Sequence, residues 1–103
     1  MSKTVHVNFA VTNTAIMNKT LDEMGIQHSE HGDSIIAKIK GYRDAEFNIK
    51  TSRITYDDMD VSRVNEVKQN YTVNLYKDQA IREGMQLTQE RSANGVVTLR
   101  LTR

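Results

Sequence analysis

The chain has 103 residues, with 14 Lys and Arg against 13 Asp and Glu, three His and a formal charge of +1. That length suits one domain with a single modest core, and the near-balance of charge gives no bias toward a polyanionic partner. There is no cysteine, so neither a disulfide framework nor a thiolate metal site is open to it. No apolar run approaches membrane-spanning length and the N-terminus has no apolar signal region, so a cytoplasmic protein is expected. On that expectation the glycosylation patterns at Asn18-Lys19-Thr20 and Asn70-Tyr71-Thr72 are chance matches.

Val5, Val7 and Phe9 alternate with His6, Asn8 and Ala10, which predicts a first strand. Thr12 or Asn13 is placed to cap a helix carrying Ile16, Met17, Leu21 and Met24 toward a core, and Gly25 stops it. A short strand begins at Ile26-Gln27-His28, turns at Gly32-Asp33, and returns with Ile35, Ala37 and Ile39 inward and Ile36, Lys38 and Lys40 outward. After the connection Gly41-Tyr42-Arg43-Asp44, the stretch Glu46 to Ile54 reads as one strand whose alternation slips near Ser52. An acidic loop, Tyr56-Asp57-Asp58-Met59-Asp60, then leads into a long helix.

In that helix Val64, Val67, Tyr71 and Leu75 form an apolar stripe, with Asp60 or Ser62 as cap and Glu66 near the positive end of the dipole. The stripe smears beyond Leu75 across Tyr76, Ala80 and Ile81, and Gly84 ends the helix. Met85 and Leu87 alternate with Gln86 and Thr88. Asn94-Gly95 is a strong hairpin signal, because both residues tolerate positive φ. Val97, Leu99 and Leu101 then alternate with Thr98, Arg100 and Thr102.

The two halves match in order. Each reads strand, helix, a glycine stop (EMGIQ, then REGMQ), strand, turn, strand. The expected architecture is an α+β fold in one domain, a pseudo-repeat over residues 4–40 and 46–102. Two βαββ units would form one mostly antiparallel sheet of about 5–6 strands, with two helices packed on one face.

Several residue groups could carry chemistry. His28 and His31, with Glu30, Asp33 and possible help from His6, form a histidine-rich turn that would hold a divalent metal if its side chains converged; otherwise it is a solvated turn. Asp57, Asp58 and Asp60 resemble the start of a calcium loop, but the internal glycine is missing and Gln69 stands where a glutamate is needed, so capping explains them better. The outward sheet positions His6, Asn8, Lys38, Lys40, Asn48, Lys50, Thr98 and Arg100 would make a polar, partly basic face. Single-strand readers stack bases on exposed aromatics, and this face has none. Tyr71 and Tyr76 read as core residues with hydroxyls reaching the rim. No nucleophile elbow, phosphate loop or dinucleotide fingerprint is present, so neither a catalytic set nor a cofactor is assigned.

The segments VHVNFAVTNTAIMNKTLDEMGI, KGYRDAEFNI and NYTVNLYKDQAIREGMQLTQERSANGVVTLRLTR are similar to the hypothetical chloroplast open reading frame thirty-five family. That family, of unknown function, occurs in cyanobacteria, algal plastids and other bacteria. The resemblance covers most of the chain and is best at the tyrosine-bearing helix, the Gly84-Met85-Gln86 turn, the Asn-Gly hairpin and the last strand. Family members carry a central hairpin rich in aromatics and tryptophan; here Ile54 runs through the acidic loop to Ser62 with no tryptophan. A shortened copy of this kind would suit a virus or mobile element of a cyanobacterial host. The family brings no catalytic residues to carry over.

The leading expectation is a non-enzymatic binding or adaptor module, with a protein partner held at the exposed sheet face or an edge strand. A free edge also offers pairing with a second copy. One alternative is RNA or single-stranded nucleic acid bound on the face of Lys38, Lys40, Lys50 and Arg100. The other is a metal-dependent or small-molecule enzyme at the His28/His31 turn.

Overall fold

A computed structural model describes residues 3–91 and 95–102 of the chain. The elements in order are β1 (Thr4–Asn8), α1 (Thr14–Glu23), β2 (Gln27–His31), β3 (Ser34–Lys38), β4 (Ala45–Asn48), β5 (Arg53–Asp57), a 3-10 turn (Asp58–Asp60), α2 (Val61–Arg82), β6 (Gln86–Arg91) and β7 (Val97–Thr102). The fold is α+β. The chain divides into two compact units, Met1–Tyr71 and Thr72–Arg103, the division falling within α2.

The first unit holds an antiparallel five-stranded sheet in the order β1-β5-β4-β3-β2. Strands β2 to β5 form a meander, and β1 pairs with β5 at one edge. Register sets the layers, since residues directly opposite one another share a face. Val7, Ile54, Phe47 and Ile35 line up across four strands, and Ala45 stands opposite Ala37. All but Val7 in this group are buried, as are Ile16, Met17 and Leu21 of α1 and Val64, Val67 and Tyr71 of α2. Phe47 is fully buried, and truncating such a residue to alanine typically costs about 3–5 kcal/mol.

Local signals explain most element ends. Asn13 caps α1, its side-chain oxygen accepting from the Ile16 N–H at 3.1 Å. Gly32 (φ 59°) opens the two-residue β2–β3 turn, as the mirror-image hairpin turns require. Both helices end alike. The Ile26 N–H donates to the Leu21 carbonyl at 2.9 Å and the Gly25 N–H to Asp22 at 3.0 Å; at α2, Met85 donates to Ala80 at 2.7 Å and Gly84 to Ile81 at 3.1 Å. Both glycines take φ 69°, the left-handed stop of a Schellman ending.

Three expectations are corrected. Glu46 to Ile54 is not one strand but parts of β4 and β5, joined by a turn over residues 49–52. Asn48 Oδ1 accepts from the Thr51 N–H at 2.9 Å, and Ser52 takes φ 54° to complete the reversal. The strand leading into α2 is therefore β5, and β6 and β7 pair with each other rather than extending the larger sheet. Second, neither Asp60 nor Ser62 serves as the expected cap. Asp57 caps the 3-10 turn, accepting from the Met59 N–H at 2.9 Å. Asp60 instead turns to the β3–β4 loop, accepting from Tyr42 N–H at 2.9 Å and Arg43 N–H at 3.3 Å. Third, Leu75 is half-buried, and in the second unit the buried positions of α2 are Val73 and Ala80. Of the expected hairpin, Gly95 is described with φ 85°; Asn94 and the side chains of Leu87, Leu99 and Leu101 lie outside the described residues. Among the described residues no helix is long and apolar enough to cross a membrane.

Candidate functional site

Within the first unit, the residues expected to share a basic face are spread over the sheet. His6 and Asn8 point outward from β1, and His6 Nδ1 lies 2.7 Å from Thr55 Oγ1 on β5. Lys38 ends β3 opposite Gln27 on β2, and Lys40 follows the strand in the left-handed region at φ 58°. Lys50 sits in the β4–β5 turn, at the other end of the sheet. A strand of five residues spans roughly 15 Å, so Lys50 is separated from Lys38 and Lys40 by about the length of the sheet. Arg100 belongs to β7, opposite Thr88 in the second unit.

Across the middle of the outward face run His6, Thr55, Glu46, Ile36 and Ser29. A carboxylate therefore stands near its centre, accepting from the Ser34 hydroxyl at 2.6 Å. The next row is Asn8, Arg53, Asn48, Ser34 and His31. Arg53 is a cation the sequence reading missed, because the turn at residues 49–52 resets the strand's parity. The outward face is mixed in charge and not a cationic track.

The histidine turn does not converge either. His28 and His31 are three residues apart on β2, an odd spacing that sends their side chains to opposite faces. His28 Nε2 lies 2.7 Å from Asp22 Oδ1 on α1, whereas His31 Nε2 lies 2.9 Å from Ser29 Oγ. His6 is on β1, at the opposite edge of the sheet. Among the described residues no three His, Cys, Asp or Glu side chains gather as a metal site would require. The acidic loop is occupied with backbone groups: Asp57 and Asp60 as described above, and Asp58 Oδ1 accepting from the Lys3 N–H at 3.0 Å.

What the fold does assemble lies along β2, the edge strand that follows α1. His31 and Ser34 flank a two-residue turn, so they form a hydrogen-bonded pair, and antiparallel alternation gives Ser29–Ile36 and Gln27–Lys38 the same character. The main-chain N–H and C=O groups of His28 and Glu30 consequently point away from β3, toward the open side. Behind this edge α1 and β2 are tied by two polar rungs. Asn18 Nδ2 donates to Glu30 Oε1 at 2.9 Å, and the Asp22 carboxylate accepts from the His28 ring at 2.7 Å. The spacing of four residues on α1 and two on β2 brings these pairs into step. Next to the second rung lies a concavity of about 500 Å³ lined by Asp22, Gly25, His28, Ser29 and Lys38, among others.

Comparison with protein-family models, with curated proteins and with solved structures finds no match.

Proposed function

We propose that this chain is a non-enzymatic binding module that takes an extended segment of a partner protein as an added strand along β2. What supports the reading is the open edge: β2 ends the sheet order, and its register turns the main-chain groups of His28 and Glu30 outward. An incoming strand finds donors and acceptors already spaced for it, and main-chain pairing supplies affinity while side-chain contacts supply choice. The edge strand is short and polar, QHSEH, with four of its five residues exposed. That composition lets a free edge persist without indiscriminate pairing. Among the described residues, the spread of the first unit's lysines and the separation of His28 from His31 favour the strand-addition reading over the nucleic-acid and metal-enzyme ones.

The test is selection of extended peptides from a displayed library, followed by comparison of Glu30→Pro with Glu30→Gln. Proline removes the outward N–H at position 30 and leaves the β2–β3 bonds intact; glutamine keeps that N–H. Selected peptides should bind the wild type, slow exchange of the His28 and Glu30 amides, and lose at least about tenfold more affinity with the proline variant than with the glutamine variant. Equal binding to both folded variants, or no selectable peptide, would overturn the reading.

A further inference from the structure

We infer that the strand added along β2 carries a cationic side chain, arginine above lysine, on the face it shares with His28 and Glu30. This rests on the strand-addition reading and adds the chemistry of the partner. A residue of the incoming strand directly opposite His28 or Glu30 has its Cβ about 4.5–5.5 Å from theirs and points to the same face of the sheet. That is the face on which α1 presents Asn18 and Asp22.

The polar groups there are mostly acceptors. The Asp22 carboxylate is 72 % exposed, against 15 % for the His28 side chain bonded to it. Glu30 is exposed and spends one oxygen on Asn18. Asn18 Oδ1 is enclosed, so the acceptors an incoming side chain meets are the carboxylates of Asp22 and Glu30. Asp22 also lies in the last turn of α1, which holds no basic residue. That carboxylate adds to the negative end of the helix dipole, and an incoming cation is favoured there. Lys38, which lines the same concavity, points from the outward face by its register, opposite Gln27. It therefore faces alternate residues of an added strand. A guanidinium, planar and with five donors, suits two nearby carboxylates better than an ammonium does.

The test uses short peptides of alternating Thr and Val with Arg at two alternate positions, and copies carrying Lys, Gln or Glu there, titrated against isotope-labelled full chain. The readout is the amide shifts of His28 and Glu30. The arginine peptide should bind about tenfold more tightly than the glutamine peptide, with the glutamate peptide weakest and the preference shrinking as salt rises. Asp22→Asn and Glu30→Gln keep both rungs hydrogen-bonded while removing charge, and together they should abolish the arginine preference while leaving the amide shifts of the free chain unchanged away from α1 and β2. Equal affinity for all four peptides would overturn the cation inference and leave strand addition standing. A preference for glutamate would overturn it in favour of Lys38. If no peptide moves the His28 and Glu30 amides, or if those amides shift with protein concentration alone because a second copy pairs there, both readings fall together.

Discussion

Replacing Tyr71 by phenylalanine isolates one hydroxyl. Tyr71 sits on α2 with its ring buried, edge-on to Phe9 at 5.7 Å between centroids and 72° between planes. Its oxygen accepts from the Thr12 N–H at 3.0 Å and the Asn13 N–H at 3.2 Å, with Thr12 Oγ1 at 3.4 Å. These are the residues at which the chain leaves β1 and enters α1, and Asn13 is itself the cap of α1. Phenylalanine keeps the ring and the contact with Phe9, so any loss belongs to the hydroxyl alone. Each net hydrogen bond is worth about 1 kcal/mol, and a donor left without a partner costs about 1–3 kcal/mol. Thr12 is exposed and can turn its N–H to water, whereas Asn13 is half-buried, so the sum expected is about 1.5–3 kcal/mol. Urea unfolding followed by far-ultraviolet circular dichroism should show a lower midpoint with an unchanged slope. Exchange of the Thr12 and Asn13 amides should accelerate ahead of the rest of the first unit. Tyr76, half exposed on the same helix, is the control: its phenylalanine variant should stay within about 0.5 kcal/mol of the parent. A loss below about 0.5 kcal/mol for Tyr71→Phe, or equal losses for the two variants, would refute the idea that this hydroxyl pins the start of α1.

Two further substitutions probe backbone sites of opposite kind. In Gly41→Ala the added Cβ would collide with Asp60 Oδ1. That would push away the carboxylate that accepts from Tyr42 and Arg43, at a cost of about 1–3 kcal/mol; a thermal midpoint matching the parent's would show that the loop adapts freely. Ser52→Gly relieves a non-glycine residue at φ 54°, so it should be neutral or stabilising by up to about 1 kcal/mol. A clear loss in denaturant midpoint would mean that the serine side chain supports the β4–β5 turn.

Much of the fold was legible in the residues because the signals are local. Val5 and Val7 alternate, Asn13 carries a capping oxygen, Gly32 permits a tight turn, and Gly25 and Gly84 stop helices with the same pair of hydrogen bonds. Each of these depends on a few neighbouring dihedral angles. What depends on pairing was not legible. The alternation of Phe47, Ile49 and Ile54 suits a single strand with a slip as well as it suits two strands and a turn. Only the pairing of β4 with both β3 and β5 decides for the turn, and with it the parity that sends Arg53 outward. Asp60 stands where a helix cap belongs, and only the approach of the Gly41 loop, 18 residues away at Tyr42, draws its carboxylate elsewhere. The candidate site shows the same division. His28, Glu30 and Lys38 were visible as polar residues of a hairpin, but which of them face α1 depends on register, and a shift of one residue would exchange their faces. That β2 stands at an edge is likewise a matter of strand order, fixed by long-range pairing that no local pattern encodes.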